Sequence, residues 1–428
     1  MYQNILILPD GTEAQIRSLK LRQLVNAGTD LTLGSACCDM LEATVFAQEL
    51  QLDPGADIAL YREAAGIRTL AGLYTPEAPI RLTEHTWRIT AYDHMARLDK
   101  DLTPWLRSLT GWPYGVQAFA QMVCESCGVS YQWSEELPNK EFLIPKWSES
   151  AVTGRKILSW LGELTCRFVH ATSNGSIGFS WYEDRGKILT HTGDSYYLGG
   201  SLRYRGYRIA PIEAVQLRRI SGLFPQVSAG ANSYILTGNP ILEACSEETL
   251  TPVLQTIRET LQAVSYHPGS VAAVSDPNVS AGDILHIVDA AGREVTLYIM
   301  EKTTASRRDT YTATGNPRRD SVTALHSKSA AQKEAETALQ TDARLTKDAI
   351  FAGLPGGIRW ANGCAWLDPA YLLPGEITAD IKLFPGEALV VDALPEESEP
   401  GRLYLLRTEA IPGYTALQPW LGEERKQQ

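Results

Sequence analysis

Glycine and proline cut the first hundred residues into short apolar runs, and this punctuation constrains the fold more than any other feature of the chain. Ile5-Leu6-Ile7-Leu8 is halted at once by Pro9-Asp10-Gly11. Leu31-Thr32-Leu33 and residues 42–46, 58–61 and 87–92 then alternate with Pro54-Gly55, Gly66, Gly72 and Pro76. Runs this short, separated by turn formers, suit strands of a small sandwich or barrel.

The texture changes after residue 100. Val116, Phe119, Ala120, Val123 and Cys127 recur at helical spacing, with Gly128 where a C-terminal cap is expected. A second helix carries Ile157, Leu158, Leu161 and Leu164 on one face. Ser173-Asn174-Gly175 between two β-rich runs predicts a hairpin. Strands return at 214–219 and 233–236. A helix with Leu250, Val253, Leu254, Ile257, Leu261 and Val264 on its apolar face follows, with Pro252 expected in its first turn. Alternating strands joined at Ala290-Ala291-Gly292 run to about Gly315. The expectation is a mostly β, α+β chain in five parts. These are a first β-barrel over 1–99, an α/β lobe over 100–200, a second β-barrel over 201–325, an Ala-, Gln-, Lys- and Glu-rich helical linker over 326–353, and a small β-rich segment over 354–428.

Length and charge bound the function. A chain of 428 residues exceeds one ordinary core, and its 44% hydrophobic and 21% charged residues are those of a folding globular protein. No apolar run approaches the roughly 20 residues that span a bilayer, so neither a signal peptide nor a membrane segment is expected. A formal net charge of −11 argues against stable nucleic-acid binding, which relies on clustered Lys and Arg. Seven scattered cysteines do not form a disulfide framework and fit synthesis in a reducing cytoplasm.

The motifs commit the chain to no chemistry. Cys124-Glu125-Ser126-Cys127 has the spacing of a thiolate pair, but it ends a helix, continues an apolar stripe and has no partner ligand pair, so it reads as core packing. Cys37-Cys38 follow Gly34-Ser35 where one strand bends into the next, and read as small residues filling that bend. Gly193-Asp194-Ser195 resembles the surroundings of a serine nucleophile, but Tyr196-Tyr197 replace the glycines that shape an oxyanion hole, so a turn is expected. Neither a catalytic residue nor a metal or cofactor site is expected. Arg203, Tyr204, Arg205, Tyr207, Arg208, Arg218 and Arg219 form a cationic, aromatic cluster in an acidic chain, which suits a protein interface.

Four stretches, taken in order, resemble the hub proteins of phage tail tips and baseplates, a family found in many prophages of Gram-positive bacteria and in tail-like particles. They are LTLGSACCDMLEATVF; WRITAYDHMARLDKD; TGRKILSWLGELTCRFVHATSNGSIGFSWYE; and the run from TGNPILEA through YHPGSVAAVSDPNVSAGDILHIVD to TATG. The resemblance covers about residues 1–330. It implies a homotrimeric virion protein, not an enzyme, made in the host cytoplasm. Each chain would offer two similar barrels, so that three chains meet a six-fold tail tube or distal tail protein above. A spike, fibre or tape-measure protein would attach below, around a DNA exit path. Three copies would carry three times −11, or −33, which repels phosphate if part of it faces the lumen. Related chains often continue into fibre or peptidase regions, whereas this sequence ends at Gln428. Two alternatives remain open. One is a tail-associated peptidoglycan hydrolase. The other is a carbohydrate-binding adsorption protein, in which Trp360, Trp366, Tyr371 and Trp420 stack on sugars.

Overall fold

The structure, a computed structural model, describes residues 2–319 except 54, 65, 148–150, 193–194, 220–224, 229, 231 and 306, and beyond them five strands between 358 and 421. The chain divides into two compact units, Met1–Ala335 and Glu336–Gln428.

The first unit opens with seven strands: β1 (Gln3–Ile7), β2 (Glu13–Leu24), β3 (Met40–Phe46), β4 (Ile58–Ala64), β5 (Ile67–Pro76), β6 (Ile80–Thr83) and β7 (Thr86–Tyr92). Six of them close into an antiparallel barrel in the order β1-β4-β5-β7-β3-β2, sealed where Leu6 and Ile7 of β1 pair with Ala14 and Glu13 of β2. Alternation along each strand decides which side chains fill it. Leu41, Ala43 and Val45 of β3 point inward with Leu6, Leu21, Ile58, Leu60 and Ile89, and together they form a core separate from the rest of the unit. Leu31-Thr32-Leu33, expected as a strand, is irregular, and its two leucines are buried where the chain approaches the turn at Gly34.

The lobe holds α1 (Thr103–Ser108), α2 (Val116–Ser126) and α3 (Gly154–Leu164). β8 (Tyr114–Gly115) pairs with β10 (Leu143–Ile144), while β9 (Tyr131–Gln132) lies beside the hairpin of β11 (Phe168–Ala171) and β12 (Ile177–Ser180). The turn of that hairpin is Asn174-Gly175, as the sequence predicts, with Gly175 at φ +80°. β13 (Glu183–Leu189) leaves the lobe to join later strands.

Next come β14 (Arg203–Tyr204) and an α/β insertion of β15 (Ala214–Arg218), β16 (Gln226–Val227), β17 (Ser233–Thr237), α4 (Pro240–Glu243) and α5 (Glu247–Gln262). The Ser246 side chain caps α5, so the helix starts at Glu247 and Pro252 sits beyond the first turn rather than within it as expected. β18 (Gly269–Val274), β19 (Asp283–Val288), β20 (Glu294–Tyr298), β21 (Glu301–Ala305) and β22 (Arg308–Ala313) complete the unit. Their side chains share one continuous core with the helices of the lobe and insertion, including Phe119, Leu161, Leu254, Leu285 and Tyr311.

The second set of strands repeats the order of the first. β2-β3-β7-β6 and β14-β18-β22-β21 are the same four-strand pattern, each followed through the same chain order, with β4–β5 matched by the hairpin β19–β20. Even the crossing to the last hairpin matches: Glu77 N–H donates to Thr90 O before β6, and Met300 N–H to Thr312 O before β21. The sets differ at their first strand, for β1 runs antiparallel to β4 whereas β13 runs parallel to β19. They also differ in closure, since the second set is divided between two sheets.

In the second compact unit the strands β23 (Ile358–Ala361), β24 (Cys364–Leu367), β25 (Leu389–Val391), β26 (Leu403–Ile411) and β27 (Tyr414–Leu421) form a sheet ordered β23-β24-β27-β26-β25. Trp360 lies on β23, Trp366 on β24 and Trp420 on β27, while Tyr371 and the whole helical segment expected over 326–353 fall outside the described residues.

Candidate functional site

The feature that organises the first unit is a sheet joint. β2 of the barrel pairs antiparallel with β21, Lys20 opposite Ala305 through Leu24 opposite Glu301. The Arg22 guanidinium grips the Glu301 carboxylate through two bonds of 3.0 Å across it. The result is one uninterrupted run of eight antiparallel strands, β6-β7-β3-β2-β21-β22-β18-β14, with four strands from each set. Both ends of the run are free edges among the described residues. All four residues of β6 are exposed, with Ile80 at 56% and Leu82 at 42%, and Arg203 on β14 is exposed as well. An edge of this kind presents unpaired N–H and C=O groups to another strand.

A buried ion pair holds the joint from behind. Lys302 on β21 and Asp309 on β22 are both fully buried and 3.0 Å apart. Lys302 Nζ also donates to the carbonyls of Asp276 and Val279. The Asp309 carboxylate accepts from Ser275 Oγ at 2.6 Å, Asp276 N–H at 3.0 Å and Tyr311 OH at 3.2 Å. Burial pushes the Lys302 ammonium down from the usual lysine range, and Asp309 opposes that shift. The same loop is tied to the barrel: Tyr2 OH meets Ser275 Oγ at 2.6 Å, and Arg62 donates to Pro277 O at 3.2 Å.

The first three family-like stretches converge at the barrel's lower rim. Asp93 ends the first barrel and caps the 3-10 turn His94–Asp99, accepting from Met95 N–H at 2.9 Å. Its other oxygen accepts from Asp39 N–H at 3.0 Å, and the Cys38 thiol donates to Oδ1 at 3.0 Å. Burial, then the Asp93 charge, pushes the Cys38 thiol up, and burial pushes both the Asp39 and Asp93 carboxyls up. His94 bridges Gly175 O at 2.8 Å and Asp57 at 3.0 Å, and Asp57 in turn holds Arg97 at 2.7 Å. A Cβ on Gly175 would stand 2.3 Å from His94 Nδ1, so the hairpin tip docks there only as glycine. Gly34, at φ +68°, lies against α3, where a Cβ would fall 2.2 Å from Ser159 O. Beside it, burial raises the Glu163 carboxyl to about 7 although Asn239 donates to it at 2.9 Å. His94 and the carboxylates here bond to backbone groups, to Arg97, to the Thr75 hydroxyl and to the Cys38 thiol, which burial keeps protonated.

Cys37, Cys124, Cys127, Cys166 and Cys245 are buried, Cys38 is partly so, and all six are free. Burial pushes the Cys124 thiol up to about 12 and the Cys166 and Cys245 thiols to about 11, which keeps them protonated and unreactive. Among the described residues no three His, Cys, Asp or Glu side chains gather as for a metal ion. No described helix is long and apolar enough to cross a membrane. Gly193 and Asp194 of the turn motif fall outside the described residues, and Ser195 O accepts from Thr190 N–H.

The cationic cluster is not brought together as one patch. Arg203 and Tyr204 form β14, with Arg205, Tyr207 and Arg208 in the loop after it, whereas Arg218 ends β15 in another sheet and Arg219 follows it. Tyr204 OH donates to Asp289 at 3.0 Å and Tyr207 OH to Gly315 O at 3.1 Å. Arg219 donates to Cys245 O. Arg203 and Arg205 stay exposed and make no ion pair among the described residues. Sequence reasoning singled out the stretch around β14 by its charge, as an interface feature, without placing it at a sheet edge. It passed over the other edge, β6, whose only signal is the short run Ile80-Arg81-Leu82-Thr83 between Glu77 and Glu84.

Comparison with known proteins adds the following. No protein-family model matches the chain, and no curated protein matches it. Among solved structures it is similar to the 43 kDa tail protein of prophage MuSo2 from Shewanella oneidensis, at 11% identity and a TM-score of 0.47 over 74% of this chain and 98% of that one. It is also similar to a tail protein from Neisseria meningitidis MC58, at 8% identity and a TM-score of 0.47 over 74% and 96% of the two chains. A prophage tail protein from Listeria monocytogenes EGD-e aligns at 9% identity and a TM-score of 0.47 over 76% of this chain and 97% of that one.

Proposed function

We propose that this chain is the hub of a phage-type tail tip or baseplate, three copies of which form a ring around the DNA path. The observation that carries this reading is the eight-strand run with four strands from each repeat and a free edge at either end. A closed ring needs matching contacts at every joint. A chain that presents two equivalent four-strand sheets gives six such sheets in three copies, which is the symmetry of a six-fold tail tube. The reading agrees with the four ordered stretches that resemble tail hubs and with the negative charge of the chain.

In this role the protein is structural rather than enzymatic. It takes a tail-tube or distal tail protein on one side of the ring and a spike, fibre or tape-measure protein on the other, in the virion. The barrel rim, with its half-buried Asp39–Asp93 and His94–Asp57 contacts, fixes the lobe to the ring. Light scattering behind a sizing column tests the reading. A mass of three chains, with ring-shaped particles in electron micrographs, is expected. A chain that stays monomeric at high concentration and with tail-tube protein present would overturn it.

A further inference from the structure

Resting on the ring reading, we infer that β14 of one copy pairs antiparallel with β6 of the next, in the register that the joint β2–β21 sets within the chain. If β2-β3-β7-β6 corresponds to β14-β18-β22-β21, the within-chain joint of β2 with β21 has one counterpart, β14 with β6, and these are the two strands left with free edges. Direction agrees. Eight alternating strands leave β6 and β14 running oppositely, so a copy added head to tail meets β6 antiparallel, as β2 meets β21.

Residue correspondence follows from the pairings. Thr90 and Thr312 are equivalent because each accepts the N–H of the residue that crosses to the last hairpin. Counting outward through β3 and β18, Lys20 matches Arg203 and Leu21 matches Tyr204. At the hairpin ends, Thr83 opposite Thr86 matches Ala305 opposite Arg308. Leu82 is the extra residue where the β6–β7 register shifts, so Arg81 matches Thr304. Lys20 faces Ala305 and Leu21 faces Thr304. The transferred joint therefore sets Arg203 opposite Thr83 and Tyr204 opposite Arg81.

Charge and apolar surface support the same partner. The β14 edge carries exposed Arg203 and Arg205, and β6 is bracketed by exposed Glu77 and Glu84. Exposed Ile80 and Leu82 would gain cover at the joint. The glutamates on either side of β6 favour the arginine-bearing β14 edge as partner over a second β6, with Arg81 set opposite the neutral Tyr204.

Disulfide trapping in the full-length protein tests the joint. Thr83→Cys with Arg203→Cys in one chain, mildly oxidised at micromolar concentration, is expected to give covalent dimers and trimers on non-reducing gels. Neither single variant should do so. Mixing the two singles should give the dimer only. Lys20→Cys with Ala305→Cys, across the within-chain joint, serves as the positive control and should close within the monomer. A mass of three chains by light scattering, with the control disulfide formed but no covalent oligomer from the Thr83 and Arg203 pair, overturns the β14–β6 joint and leaves the trimer reading standing. A persistent monomer overturns both.

Discussion

Replacing Lys302 with methionine isolates the buried charge behind the sheet joint. The side chain is fully buried, as is its partner Asp309 at 3.0 Å, so the substitution keeps most of the packing while removing the positive charge. Asp309 keeps its bonds from Ser275, Asp276 and Tyr311, but its charge is left with no ion-pair partner among the described residues. Removing one member of such a pair costs about 3–5 kcal/mol. Arg62, close enough to Lys302 to oppose its charge, offsets part of the loss, so the expectation is about 3 kcal/mol. Adding Asp309→Asn to Lys302→Met removes the orphaned charge and keeps one acceptor oxygen for Asp276 N–H and Tyr311 OH, with the amide NH2 turned to the Ser275 hydroxyl oxygen, and should restore roughly 1–2 kcal/mol. Urea titration at pH 7, followed by far-UV circular dichroism, reads both differences from the shift in midpoint. If Lys302→Met lies within about 1 kcal/mol of the parent, or if the double variant is weaker than the single, an uncompensated buried charge is not what the lysine prevents.

Three further outcomes are expected. Glu163 is raised to about 7 by burial from 4.5 in the unfolded chain, so the folded state holds the extra proton between those values and stability falls as pH rises through that window. Glu163→Gln should flatten this slope and add about 3 kcal/mol above pH 8, read as the difference between the two proteins' thermal melts across pH; equal profiles would show that the carboxyl titrates normally. Gly175→Ala drives a Cβ to 2.3 Å from His94 Nδ1 at a left-handed φ of +80°, and should cost about 2–4 kcal/mol in the same urea assay; a loss under about 0.5 kcal/mol would mean the hairpin tip does not dock on His94. Cys124→Ser with Cys127→Ser should bring no change in bound zinc, measured by atomic absorption, and a loss of at most a few kcal/mol from packing; stoichiometric zinc in the parent that vanishes in the variant would contradict a filler role.

Much of the fold was legible in the chain because local rules governed it. The alternation of Leu41, Ala43 and Val45, the helical stripe from Val116 to Cys127 and the Asn174-Gly175 turn each act within a few residues, where the sequence pattern and the backbone answer to the same sterics. The burial of Cys124 and Cys127 was legible for the same reason, since both continue the apolar stripe of α2 into the core, whereas the bond of Cys38 to Asp93 was not. Pro252 was misplaced by a turn because Ser246, a weak signal beside the apolar stripe, started the helix earlier.

Tertiary structure decided what no local pattern encodes. The pairing of β2 with β21 joins residues some 280 apart in the chain, and the Lys302–Asp309 pair sits within a strand hairpin that reads as ordinary polar alternation. The repeat between the two sets of strands leaves no residue repeat, because a sheet fixes hydrogen bonds through the backbone and asks of its side chains only that they alternate. The seven-residue cationic cluster was one feature in sequence and two in space, since β14 and β15 enter different sheets. The sequence by itself therefore determined most of the described strands, helices and turns, and failed at Leu31-Thr32-Leu33, where burial without a strand partner leaves the chain irregular. Only the folded chain decided which strand edges of the eight-strand run were consumed within it and which two, among the described residues, were left free, because an edge is defined by the strand that fails to lie beside it.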